Sequence, residues 1–170
     1  MPFTPFHFGP GLLLKTLMPG RFSLSMFALA NVAMDIEPGY QMLRGAYPLH
    51  GFSHTVLGAA LIGVATVLLG RIVIRRIWRW YERLSAHAGC AAHMTAQQAW
   101  MGALTGVFSH VLLDALMHAD MHPLAPFSEA NPLLDVSYTQ NVYLGCVVAG
   151  MAGVLLILVR AGFRPERTHQ

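Results

Sequence analysis

Eighteen consecutive residues, Val142 to Val159, carry no charge, and Arg160 ends the run. That length nearly matches the roughly 20 residues a helix needs to cross a hydrocarbon core of about 30 Å. A second apolar stretch runs from about Thr55 to Ile74, interrupted only by Arg71 near its end, where a long side chain can reach the interface. A third runs from Ala96 to about Met117, and Thr95 with Gln98 three residues on has the form of a capping box that starts it. Charged residues make up 11% of the 170 residues against about 25% in an average globular protein, while 55% are apolar. A soluble domain and a disordered chain are both excluded by that balance. Only Cys90 and Cys146 are available, and Cys146 sits in an apolar run, so a disulfide scaffold is excluded as well. The expectation is an all-α, integral membrane helical bundle: one membrane-embedded domain over residues 1–170 with three clear transmembrane helices.

The basic residues orient these helices. Five of the eleven lie between Arg71 and Arg83, and Arg160, Arg164 and Arg167 follow the last run. Lys and Arg beside apolar segments mark cytoplasmic ends. With both clusters on one side, the stretch from Thr55 starts outside and the stretch from Ala96 ends outside. Trp78, Trp80 and Tyr81 among the arginines suit a membrane belt better than a nucleic-acid patch, so no nucleic-acid partner is expected. The N-terminal part is broken by Pro19 and Gly20 into two runs, Leu12 to Met18 and Phe22 to Met34. The first is too short to cross at 1.5 Å per residue. The pair reads as a broken helical hairpin with its turn and Lys15/Arg21 toward the cytoplasm, or equally as a re-entrant or interfacial segment. It lacks a small-residue cleavage site and is not read as a cleavable signal. Ser85 to Thr95 is expected as an inner loop and His118 to Asn141 as a longer outer one.

Nine histidines against eight acids is unusual for so apolar a chain. The topology gathers Asp35, Glu37, His50, His54, His118, Asp120 and His122 at the outer ends of the apolar runs. His7 joins them if the hairpin is right, and His110 and Asp114 lie one to two turns deeper. His110, Asp114 and His118 are spaced i, i+4, i+8 and share one helix face. His50 and His54 are also i, i+4, although Pro48 leaves open whether the helix reaches back to His50. Such pairs on facing helices supply the N and O donors a divalent ion requires. An intramembrane carboxylate is expensive, and Asp114 is a functional candidate for that reason. A structural pairing of Asp114, or a helix–helix hydrogen bond of His110, remains the alternative for each residue alone. Glu37 and Asp135 read as loop or cap residues, and His87, His93 and His169 as solvated ones.

The strings Phe108-Ser109-His110-Val111-Leu112-Leu113-Asp114 and His122-Pro123-Leu124-Ala125-Pro126-Phe127 resemble the YdjM-like family of LexA-regulated, membrane-bound, predicted metal-dependent hydrolases. So do Gly51-Phe52-Ser53-His54-Thr55, Asn31-Val32-Ala33-Met34-Asp35-Ile36-Glu37 and Thr4-Pro5-Phe6-His7. That family is similar in turn to the superfamily of zinc-dependent phospholipase C and single-strand zinc nucleases, helical enzymes that cleave phosphoesters. The resemblance implies a bacterial inner membrane location and a fold like the zinc phospholipase C helical fold. It also implies that His7, Asp35, His54, His110 and Asp114 follow the order of the superfamily's ligands, with Asp114 as bridging carboxylate. Two features depart from it: no N-terminal Trp precedes His7, and the later His-x-x-x-Glu pair is missing. One or two ions are therefore expected, and not three.

The function expected is that of a membrane-bound metal-dependent hydrolase of phosphoesters, its substrate a small molecule or a lipid from the bilayer. The metal ligands would be His7, Asp35, His50, His54, His110, Asp114, His118 and His122, and the ion most consistent with them is zinc. Asp35, Asp114 and Asp120 are the candidate catalytic carboxylates. The alternatives are a non-enzymatic metal-binding or ion- or proton-translocating membrane protein and a b-type haem protein with paired axial histidines.

Overall fold

Secondary structure throughout the described residues is helical. The computed structural model describes residues 5–85 and 94–163, without the side chains of 5 and 82–85. Thr4, most of the expected inner loop with His87, Cys90 and His93, and Arg164, Arg167 and His169 lie outside the described residues. Six α-helices follow one another: α1 (Phe8–Leu17), α2 (Leu24–Met34), α3 (Ile36–Leu43), α4 (Val56–Ser85), α5 (Ala96–Met117) and α6 (Thr139–Gly162). Three helices, within Val56–Tyr81, Ala96–Met117 and Val136–Gly162, are long and apolar enough to cross a membrane. The expected helical bundle is present.

Two spans are longer than the apolar runs that announced them. α4 continues through Arg71, Arg75, Arg76 and Arg79 because arginine is a good helix former and no Pro or Gly follows to stop it. α6 starts at Thr139 and incorporates Arg160. The start of α5 is as expected: the Thr95 hydroxyl accepts from the Gln98 amide N–H at 3.1 Å, and the Gln98 side chain accepts from the Thr95 N–H at 2.9 Å. α3 is an additional short helix, and Gly45 beyond it takes the left-handed conformation (φ 63°) that ends the turn.

α1 and α2 form the broken hairpin. At ten and eleven residues each is about 15–17 Å long, too short to span alone. Close approach, not bulk, holds them in place. Along α5, Ala99, Gly102, Ala103 and Gly106 make a small-residue face at i, i+3, i+4, i+7, and α2 lies on it. A Cβ on Gly102 would run into the Ser23 carbonyl, and one on Gly106 would lie 2.9 Å from both the Ala30 Cβ and the Phe27 carbonyl. α1 packs in the same way on α6, where Gly9 meets the Cys146 carbonyl.

The hairpin's turn sits at the basic end of the bundle. Lys15 Nζ donates to the carbonyls of Pro19 (2.8 Å) and Phe22 (2.9 Å). Gln98, near the start of α5, donates to the Gly20 carbonyl at 3.1 Å, and Arg160 of α6 donates to the Thr16 carbonyl. Arg71 donates to the Met94 carbonyl at 3.2 Å, so the basic stretch of α4 belongs to this end too. The hairpin therefore enters and leaves the bundle at the opposite end, where His7 precedes α1 and Asp35 follows α2. Two irregular connections close over that end. The Val56 N–H donates to the Pro123 carbonyl (2.8 Å), and Asn131 Nδ2 donates to the Ala115 carbonyl (2.9 Å).

Candidate metal centre

Four chain segments bring histidine or aspartate to one buried point. His7 comes from the turn before α1, Asp35 from the α2–α3 junction, and His50 and His54 from the segment before α4. His110 and Asp114 are on α5, and His118 caps its C-terminus. His110 is 0% exposed, His54 1%, and His7 and Asp114 2%. The Asp114 carboxylate is the centre of the group. Its Oδ1 faces His7 Nε2 at 3.3 Å and His118 Nε2 at 3.8 Å. Its Oδ2 faces the Nε2 atoms of His110 at 3.2 Å, His54 at 3.4 Å and His50 at 3.9 Å. Asp35 Oδ1 lies 3.4 Å from His110 Nε2.

These distances are informative because most are long for a hydrogen bond, whose N···O separation is about 2.7–3.2 Å. Two donors each about 2.1 Å from a shared ion stand roughly 3.0–3.4 Å apart in octahedral or tetrahedral geometry. The inward atoms also have nothing else to do. Nε2 of His7, His50, His54, His110 and His118, together with Oδ1 of Asp35 and of Asp114, is buried without a hydrogen-bond partner. So many orphaned polar atoms would cost several kcal/mol in a dry interior. A divalent ion held among them would remove that cost. Three overlapping groups could hold one: His7/His110/Asp114, Asp35/His54/His110 and His50/Asp114/His118.

The outward ring nitrogens fix the tautomers. Asn31 Nδ2 donates to the Phe27 carbonyl at 2.8 Å, so its Oδ1 is the acceptor for His110 Nδ1 at 2.9 Å. His50 Nδ1 donates to Asp120 Oδ1 at 3.0 Å. The Ser53 hydroxyl, directed at the Met34 carbonyl, receives His54 Nδ1 at 2.8 Å. All three rings carry their proton on Nδ1 and present the Nε2 lone pair inward, as oriented metal-binding histidines do. Burial lowers the pKa of His54 and of His118, which keeps both imidazoles in the neutral form that ligates. For Asp120 burial pushes upward, but the His50 ring and the backbone N–H groups of His50 and Leu49 outweigh it and hold the carboxyl below its ordinary value.

Of the sequence candidates, His7, Asp35, His50, His54, His110, Asp114 and His118 meet here. Asp120 does not join them; it orients His50. His122 is exposed, its Nδ1 donates to the Glu129 carbonyl at 2.6 Å, and it belongs to none of the ligand sets. The expected helical spacing is only partly the reason the others converge. His50 lies in an irregular segment and His54 in the 3-10 turn Phe52–His54, because Pro48 and Gly51 delay α4 until Val56. His118 is extended, one residue past the end of α5, yet still reaches Asp114.

Three contributors had no role in the sequence reading. Asn31 and Ser53 hold His110 and His54. Glu37, expected as a loop or cap residue, accepts from the Phe52 (3.2 Å) and Ser53 (2.7 Å) N–H groups and fastens the His54 turn to α3. A Cβ on Gly51 would strike the Glu37 carboxylate, which explains the glycine. The available signal was an amide at Asn31, one helical turn before Asp35 in a run otherwise almost wholly apolar.

No curated protein and no solved structure matches the chain, so the likeness to the zinc phospholipase C fold rests on the sequence pattern alone. A family model described as YdjM inner membrane protein matches residues 7–168. With membrane-length helices around a buried His/Asp cluster, and a match over nearly its whole length, the chain belongs to the YdjM inner membrane protein family.

Proposed function

We propose that this protein is a membrane-embedded, metal-dependent hydrolase that cleaves phosphoesters with one or two zinc ions held by the Asp114 cluster. The observation that carries the reading is the set of seven buried, unpartnered donor atoms, six of them around the Asp114 carboxylate and the seventh its own Oδ1. Zinc suits a ligand set of imidazole and carboxylate without thiolate. Bound there, it would lower the pKa of a coordinated water to about 7 and offset negative charge on phosphoryl oxygens.

The chain's own residues prepare that site. Asp114 presents its two oxygens to different histidines, so it would take part in holding an ion with either group. Asn31, Ser53 and Asp120 keep three imidazoles in the ligating tautomer. Asp35 would hold an ion through Oδ1 and has its Oδ2 in no hydrogen bond among the described residues, which favours it over Asp120 as the group that accepts a proton from water. Both Asp120 oxygens are already engaged by residues 49 and 50. By the positive-inside rule the basic end is cytoplasmic, and the cluster faces the periplasm.

Translocation is disfavoured because the histidines and acids described within the bundle collect at one end; the buried polar residues toward the other are Thr16, Ser23 and Thr66. Haem is disfavoured because neighbouring imidazoles pack with centroids 4.4–5.2 Å apart, leaving no slot for a planar macrocycle. The test is a panel of phosphomono- and phosphodiesters presented to zinc-loaded protein, to chelated protein and to Asp35→Asn. Turnover that disappears on chelation and falls at least about 100-fold in Asp35→Asn, in line with losing a general base, supports the reading. Loaded protein that turns over no phosphoester contradicts it.

A further inference from the structure

An apolar groove of about 790 Å³ runs down the bundle beside the metal centre, and its size is that of a ligand site. α2 and α6 both pack on α1, which forms the floor with Gly9 and Leu12. Leu24 and Ala28 of α2 line one wall. The other is a continuous stripe of α6 from Cys146 to Leu158, about 18 Å long. No charged side chain lines the groove. Met151, Leu155 and Leu158 on its wall are more than 60% exposed, so the groove opens sideways on the apolar face of a membrane-length helix.

Its upper end meets the site. Phe6 lines the groove and packs edge-on against Tyr143 with centroids 5.0 Å apart. The next residue, His7, faces Asp114 at 3.3 Å. The trough therefore begins one residue from a member of the Asp114 cluster. The trough's 18 Å is close to one leaflet, half of the roughly 30 Å hydrocarbon core. An open apolar trough at that depth has acyl chains as its surroundings. We propose that the substrate is a lipid phosphoester whose acyl chain lies in the groove between α2 and α6 while its head group is presented to the Asp114 cluster. This assignment rests on the hydrolase reading above.

The experiment uses the full chain in nanodiscs containing a phospholipid with a photoactivatable diazirine on one acyl chain, together with a pair of phosphodiesters that share a head group and differ in having a short or a long chain. Adducts concentrated on Ala28, Met151 and Val154, and sparse on the outward α4 residues Leu61, Leu68 and Leu69, are expected. Ala28→Phe, which fills the groove, should remove those adducts and raise KM for the long-chain diester about tenfold or more, as when contacts of roughly two methylenes are lost. Its short-chain kcat and its metal content should not change. Val154→Trp blocks the opposite wall and serves where Ala28→Phe does not fold.

Adducts spread equally over α4 and α6 would overturn the groove assignment. So would an unchanged long-chain KM in both variants, or a stable dimer in which a second copy shields the groove from the probe. Groove adducts without hydrolysis of any phosphoester would overturn the hydrolase reading while the groove still bound a chain. Equal turnover of short and long diesters, unaffected by Ala28→Phe, would leave the hydrolase standing and remove the groove.

Discussion

Asp114 sits where a carboxylate is costly, and its neighbours are arranged as donors toward a common centre. Its partners keep distances of 3.2–3.9 Å instead of closing to good hydrogen bonds. The residues behind the histidines carry the most discriminating expectation at this scale. Asn31→Leu removes the acceptor that holds the proton of His110 on Nδ1. It should weaken zinc affinity about 10- to 100-fold, as loss of such outer partners does, with the helical content kept. Competition titration with a chromogenic chelator reads this directly, and unchanged affinity would mean that Asn31 only packs. Asp120→Asn should weaken affinity less, because the amide oxygen can still accept from the His50 ring. The residues that touch the centre were legible in the sequence since His and Asp are rare in membrane runs. Asn31, Ser53 and Glu37 were less so: their importance comes from what they face across helices, which spacing along one helix does not reveal.

Small residues decide how the elements meet. α2 reaches its depth because Gly102 and Gly106 of α5 admit its backbone, and that approach sets Asn31 and Asp35 beside His110. Gly106→Leu places a side chain against Ala30, Phe27 and Asn31. Overpacking of this kind costs about 1–3 kcal/mol, so the variant should melt earlier in detergent and also bind less zinc. A lower melting temperature with full zinc binding would separate the packing face from the site. The three long helices were readable from charge-free length, and the start of α5 from its capping box. α4 and α6 continue past the apolar runs that marked them, because arginine weakens hydropathy but not helix propensity. Pro48 left open whether the helix reaches back to His50; it does not, and a 3-10 turn held by Glu37 delivers His54 while an irregular segment delivers His50.

Across the whole molecule charge is sorted by end. Lys15, Arg21, Arg71, Arg75, Arg76, Arg79 and Arg160 mark one end, and the histidine cluster marks the other, with Arg44 the exception among the described basic residues. The positive-inside rule then predicts that a single cysteine at the exposed Phe127 is labelled by an impermeant maleimide from the periplasm, in a chain whose own Cys90 and Cys146 have been replaced. Labelling only after the membrane is opened would reverse the orientation. An ion joining four chain segments should also stabilise the fold. Free zinc at about 100 times its Kd contributes about 2.7 kcal/mol by mass action, so chelation should lower the melting temperature and zinc should restore it.

The most direct test of the account is the metal content of the purified chain, set beside His110→Ala and Asp114→Asn variants that retain their helical spectrum. The account predicts one or two zinc ions per chain in the parent protein and at most a small fraction of that in both variants. Parent protein free of metal after zinc loading, or variants that keep the full stoichiometry, would contradict it.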